Sequence, residues 1–360
     1  MAARLDGETA ILGRLSPDPA GGHYGIGDRV SFLPLPYYRS LVSPAALLAL
    51  PRSLGAAWKA VGEADRVWLL GPHPLIVVLA WFARLRGRTL ILGVRQDFPA
   101  YIRSRHPENR LLQGTARLLE RGFRRRARHA PVVAVGPELA AHYVHAERLL
   151  EIAVSLVDGE QIAAGEAAAA ARSYDGPKTI LSVGRLDNEK NPVLLLDTLA
   201  RLDSQWRLEV CGEGPLADEL ERRAAEMGLA ERVELAGYVP IDGGLADRYR
   251  NAHVLLHSSL TEGLPQVLIE AFAAGLPVVA SDVGGIRAAV GDRAQLVPSG
   301  DAAAAAAAVG AVGGDPALRD RLVAAGLEFA REHTIEVESA RVARFLEADV
   351  HARLHGSGNA

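Results

Sequence analysis

Residues Leu260–Gly285 read LTEGLPQVLIEAFAAGLPVVASDVGG. Val267–Ala274 has the apolar spacing of a helix, and Pro265 suits the first turn of one. Val278–Ala280 follows as a short apolar strand. The same alternation extends in both directions. Toward the N-terminus, strands are expected at Thr179–Val183, Arg207–Cys211, Val233–Ala236 and Val254–His257. Helices at Val193–Leu202 and Leu216–Met227 separate the first three of these. Farther back, Arg66–Leu70, Thr89–Val94 and Val132–Val135 read as strands, and Pro74–Arg86 and Asn109–Arg128 as helices. Strand and helix in alternation predict parallel sheets covered on both faces. The pattern occurs twice around the alanine-rich segment Ala163–Ala171, which reads as a linker. An α/β chain of two Rossmann-like parallel-sheet domains is expected, with ligand in a cleft beside the carboxyl ends of the strands.

Composition agrees and excludes several classes. The chain has 360 residues, 49% hydrophobic and 23% charged, enough for two ordinary cores. Cys211 is the one cysteine, so no internal disulfide forms. The net charge of -3 excludes a generally basic nucleic-acid binder. Residues 1–170 carry 21 basic and 15 acidic side chains, against 19 and 28 in the remainder. Two domains with different partners would show such a split. The N-terminus lacks the pattern of a signal peptide. The longest apolar run, Leu75–Ala83, is too short to span a bilayer. The expected location is cytoplasmic, with peripheral contact at the inner face of the membrane left open.

Chemistry concentrates in three segments. In Leu260–Gly285, Glu262 precedes the helix and Glu270 lies inside it. The N–H groups of Gly263 and Leu264 are expected at the helix N-terminus, where a diphosphate is stabilised. Glu262 would then read sugar hydroxyls and Glu270 a ribose diol. Ser182–Asn191, SVGRLDNEKN, follows a strand, with Gly184 allowing close backbone approach. Arg185 and Lys190 lie five apart in that loop and can reach one ligand, the first as a fork and the second as a point charge. Lys190 is one of three lysines, with Lys59 and Lys178, in an arginine-rich chain. Val210–Pro215, VCGEGP, is a strand end with two glycines, a weak signal by itself.

In this order the three segments resemble the retaining glycosyltransferases of family 4, most strongly over Lys178–Pro298. The resemblance implies a GT-B fold and transfer of a sugar from a nucleoside-diphosphate sugar with retention. It assigns Arg185 and Lys190 to the diphosphate, Glu262 to the donor sugar with Gly263 and Leu264 behind it, and Glu270 to the ribose. The backbone near Tyr238, in AGYVP, would lie beside the base. It also implies that no metal or cofactor is needed, and no two aspartates stand two apart to form a D-x-D pair. The family often places a histidine–aspartate pair after an early strand; here Gln96–Asp97 stands there, so Asp97 and His73, in LLGPHP, are the catalytic candidates of the first half.

The domains are expected at 1–170, on the acceptor side and completed by a C-terminal helix over 337–360, and at 171–336, binding the donor. The opening AARLDGETAILGRL reads as a helix end and a second strand, so the first strand and its glycine loop are expected to be absent; Gly21–Gly22 is a weak substitute. Asp301–Val309, nearly all alanine, is expected as a surface helix. The basic segment Leu119–Arg128 suggests attraction of Arg121–Arg128 to an anionic membrane or a lipid-pyrophosphate acceptor. A glycan, lipid or small molecule would serve as acceptor. The alternatives are a sugar-nucleotide epimerase or glycan phosphorylase of the same fold, or a non-catalytic nucleotide-sugar-binding remnant.

Overall fold

The computed structural model describes residues 8–14, 30–38, 43–71 and 74–356. Its elements run β1 (Thr9–Arg14), β2 (Val30–Leu35), α1 (Pro44–Glu63), β3 (Arg66–Gly71), α2 (Pro74–Leu85), β4 (Thr89–Val94), α3 (Phe98–Arg105), α4 (Arg110–Ala127), β5 (Pro131–Val135), α5 (Pro137–Ala141) and β6 (Arg148–Ile152). There follow α6 (Gly159–Ala171), β7 (Lys178–Val183), α7 (Val193–Leu199), β8 (Trp206–Cys211), α8 (Ala217–Glu226), β9 (Val233–Gly237), α9 (Leu245–Asn251), β10 (Val254–His257) and α10 (Gln266–Ala273). The chain ends with β11 (Val278–Ser281), α11 (Ile286–Val290), β12 (Gln295–Val297), α12 (Ala302–Gly314), α13 (Pro316–Glu332) and α14 (Ile335–Gly356).

The chain divides into two compact units. One holds the residues up to Ala134, Leu139–Ile152 and the chain from Ser339; the other holds Val135–Glu138 and Ala153–Glu338. In the first unit β1 pairs with β2 in parallel, from Thr9 opposite Val30 to Arg14 opposite Leu35. A separate four-stranded sheet runs β3-β4-β5-β6. Its core joins Leu69, Leu92, Val132 and Ala134 to Phe123 of α4 and to Tyr143. On the other face, Ile91 and Val133 pack against Val342 and Leu346 of α14. Successive strand residues point to opposite faces, so Ile91 and Leu92 serve different cores. Gly21 and Gly22 lie outside the described residues.

The second unit is built on six parallel strands in the order β12-β11-β10-β7-β8-β9. Both faces are covered. Leu181, Leu255, Val278 and Ala280 face one core with Phe272; Ile180, Leu208, Val254, Leu256 and Val279 face another with Trp206. The strand order reverses direction between β7 and β10. The loops leaving the carboxyl ends of these two strands flank the switch point, where open α/β sheets bind ligands.

Three sequence expectations change. Ala163–Ala171 is not a linker but lies within α6 of the second unit. Asp158 starts that helix with a capping box: its carboxylate accepts from Gln161 N at 2.8 Å, and Gln161 Oε1 accepts from Asp158 N at 3.1 Å. A Cβ at Gly165 would overlap the carbonyl of Ala273, so the helix lies directly on the end of α10. The first unit therefore ends near Ile152 rather than at 170. The alanine run of α12 is not a plain surface helix: Ala305 and Val309 are fully buried in the Trp206 core. Alanine lets that helix lie close to the sheet while keeping its helix propensity.

Candidate functional site

Two loops carry the site, each set by where a strand of the second unit ends. After β7 the chain turns at Gly184, whose N–H donates to Cys211 O at 3.0 Å. Leu186 N donates to Glu213 O at 2.9 Å, and Leu216 N returns a bond to Leu186 O at 3.0 Å. The VCGEGP glycines explain this closeness. A Cβ at Gly212 would overlap the Gly184 carbonyl, and one at Gly214 the Leu186 carbonyl. Within the loop Asp187 Oδ1 accepts from Glu189 N at 3.1 Å and Lys190 N at 3.2 Å, fixing the turn that presents Lys190.

His257 ends β10 and Ser258 and Ser259 follow it, all three buried. Ser258 Oγ donates to Lys190 O at 2.8 Å, and Leu260 N donates to Glu189 O at 2.8 Å. These bonds join the two loops. They bring the Lys190 ammonium onto Glu262 Oε1. The same oxygen accepts from Ser259 Oγ at 2.8 Å and lies 3.2 Å from His257 Nε2. Burial pushes the Glu262 carboxyl up, but the His257 hydrogen bond and the Lys190 charge outweigh burial and hold it at about 2. Gly284 N-terminal to α11 packs its Cα against the Glu262 carbonyl, where a Cβ would overlap it.

Gly263 and Leu264 lie in the turn before α10, and Pro265 takes the N-cap position. Glu270 sits inside α10. It accepts from Tyr249 OH at 2.8 Å and from Gln266 Nε2 at 2.9 Å. Burial raises its pKa despite both donors, and burial beside Glu270 raises that of Tyr249. Tyr238 follows β9 and is half exposed.

Gly184, Arg185 and Lys190 thus line one pocket with His257 and Ser259. Glu270 lines another with Tyr249, Leu245 and Ile241. Arg185 is 58% exposed and ion-paired with Asp187 at 2.9 Å and Glu189 at 3.2 Å. Both cations of the loop are therefore already paired with carboxylates, which the spacing alone did not suggest. An incoming anion must compete for them.

The first-unit candidates stand differently. Asp97 caps α3, its carboxylate accepting from Ala100 N at 2.8 Å. His73 lies outside the described residues. On α4, Arg124 pairs with Glu120 at 3.0 Å and Arg126 donates to Gly122 O; Arg121, Arg125 and Arg128, the C-cap residue of the helix, are exposed. Leu111 and Leu118 of the same helix are also exposed, at 81% and 68%.

Sequence reading missed His257, Ser259, Tyr249 and Gln266. The signal for Gln266 was present, since glutamine four residues before Glu270 on a helix faces it. Nothing local marked Tyr249 as its partner.

Known structures share this architecture. A sucrose-phosphate synthase from Thermosynechococcus elongatus superposes with a TM-score of 0.73 at 21% identity, over 97% of this chain and 89% of its own. The Anabaena protein HepE in complex with UDP-glucose gives 0.66 at 17% identity, over 89% and 86%. The fold is GT-B. Residues 165–329 of this GT-B chain match the family described as Glycosyl transferases group 1. A phosphatidyl-myo-inositol mannosyltransferase of Mycobacterium leprae is 37% identical over 177 residues, 47% of this chain and 46% of that one. The GT-B chain thus spans about half the length of the curated relatives it matches. Among its described residues no helix is long and apolar enough to cross a membrane.

Proposed function

We propose that this chain is a retaining glycosyltransferase that moves a sugar from a nucleoside-diphosphate sugar to an acceptor without a metal or cofactor. The observation that carries this reading is the Lys190–Glu262 pair at the switch point of a parallel sheet. A lysine that exchanges a carboxylate for a diphosphate leaves that carboxylate to take sugar hydroxyls. Arg185 and Lys190, with the N–H groups of Gly263 and Leu264, stabilise the charge that develops on the leaving diphosphate. Glu270 takes the ribose, and the backbone at Tyr238 flanks the base. UDP-glucose in the HepE structure supports a nucleotide-sugar donor here.

The acceptor is a glycan, a lipid or a small molecule. The lipid named by the Mycobacterium leprae relative supports the second of these. Exposed Arg121, Arg125 and Arg128 beside exposed Leu118 support peripheral contact with an anionic membrane.

A thermal-shift panel with UDP, GDP, ADP and their sugar conjugates tests the donor site. A ligand at a hundredfold excess over its Kd adds about 2.7 kcal/mol. The expected result is stabilisation by one diphosphate and its conjugate, lost in Arg185→Ala and Glu270→Ala. Transfer to acceptor that persists in excess EDTA is expected; loss of transfer there overturns the metal-free mechanism.

A further inference from the structure

His257 ends a strand whose other residues, Val254, Leu255 and Leu256, are apolar and buried. It is itself 5% exposed. Its Nε2 lies 3.2 Å from Glu262 Oε1 and 3.1 Å from Ser259 Oγ. An ionised carboxylate only accepts, and Ser259 Oγ gives its own proton to Oε1. Nε2 must therefore carry the ring proton and donate to both. Nδ1 is buried with no partner among the described residues. An orphan of this kind costs stability, and a leucine would fill the position without one. The imidazole is a poor packing choice that keeps one useful contact.

That contact has a direction. Lys190, Ser259 and His257 all meet Oε1 of Glu262; no described residue meets Oε2. We propose that His257 and Ser259 are positioning residues, which anchor Oε1 to the protein and thereby aim Oε2 at a hydroxyl of the donor sugar. This rests on the reading of Glu262 as the donor-sugar contact. When Lys190 turns to the diphosphate, His257 and Ser259 remain to hold the carboxylate. Its orientation then does not depend on the cation that leaves it.

The test separates sugar from nucleotide. The wild-type chain is titrated calorimetrically with UDP-glucose, GDP-mannose and ADP-glucose and with the three bare diphosphates, and the pair that binds is carried forward. In His257→Leu the conjugate is expected to bind about tenfold more weakly, the loss of one hydrogen bond to a charged group. The bare diphosphate should stay within about twofold, since the contact it lacks is the sugar's. The melting temperature serves only to show that the variant folds, since losing the donor to Glu262 and losing the orphan Nδ1 act in opposite directions. His257→Gln, which restores an N–H near the Nε2 position, should recover the affinity. Ser259→Ala should show the same selective loss and serves if His257→Leu fails to fold. Equal losses for conjugate and diphosphate, or no loss in either variant while Glu262→Gln loses conjugate affinity, overturn the positioning role alone. If Glu262→Gln leaves the ratio of conjugate to diphosphate affinity unchanged, or no conjugate binds, the reading of Glu262 fails and the inference with it.

Discussion

The Lys190 ammonium and the Glu262 carboxylate, 72 residues apart in sequence, form an ion pair where β7 and β10 end side by side. The pair is mostly buried, with side chains 28% and 13% exposed. Removing one partner of such a pair strands the other and removes a contact to any diphosphate that replaces it. Lys190→Ala is expected to weaken nucleoside-diphosphate binding by about 10- to 100-fold. Arg185→Ala, on a more exposed residue, should cost less, about threefold to tenfold. Calorimetry on the two variants gives the order.

Glu262 makes stability depend on acid. Its folded-state pKa of about 2 lies below the ordinary 4.5. The contribution is therefore present above pH 4.5 and is lost as pH falls toward 2. The difference corresponds to on the order of 3 kcal/mol. Glu262→Gln is expected to melt below wild type at pH 6, with the gap closing as both are taken to pH 3 and below. A gap constant with pH would mean the carboxylate gains nothing from Lys190 and His257.

Glu270 has the opposite sign. Burial raises its folded-state pKa, so its ionisation opposes folding. The favourable condition holds below the ordinary carboxylate value, and stability is lost as pH rises from there through the raised folded pKa. Glu270→Gln should melt at or above wild type at pH 8 and match it at pH 4, while binding the diphosphate less tightly. Melting curves at the two pH values check the sign.

Gly212 supports the loop that presents Lys190. Gly212→Ala would drive a methyl group into the Gly184 carbonyl. Overpacking of this kind costs about 1–3 kcal/mol, and the loop is what must move. The variant is expected to fold with a lowered melting temperature and to lose diphosphate binding more than Gly263→Ala, where a Cβ meets open space.

The exposed arginines of α4 predict a salt-dependent affinity for anionic vesicles. Each basic residue near such a surface contributes about 1 kcal/mol. Replacing Arg121, Arg125 and Arg128 together with glutamine should reduce partitioning onto phosphatidylglycerol vesicles about 100-fold at low salt. The wild-type binding should fade at 0.5 M NaCl. Binding that ignores both changes would remove the basic face from the acceptor side.

Strands β7 to β11 and helices α7, α8 and α10 could be read from residue spacing, because these strands are short apolar runs and the helices carry a 3.6-residue apolar period; α9, α11, β12 and α13 were not read. Glu262 before a helix and Glu270 within it were legible for the same reason: Pro265 marks where α10 begins. Other features had no local signature. Asp97 reads as a candidate carboxylate after a strand; that it caps α3 is seen only in the structure. Ala163–Ala171 reads as a linker because alanine marks neither face of a helix, and its burial on α10 depends on Gly165 meeting Ala273.

The sequence by itself determined the fold class and the residue types of the two loops that carry the site, since periodicity and turn chemistry act within a few residues. Tertiary structure alone decided the pairings. Lys190 meets Glu262 because parallel strands bring distant loops to the carboxyl end of one sheet, Tyr249 of α9 meets Glu270 of α10 across one core, and His257 leaves Nδ1 unpartnered while Nε2 meets Glu262 and Ser259. Those contacts set which carboxylate is held ionised and which is pushed toward neutrality, and no spacing along the chain encodes that difference.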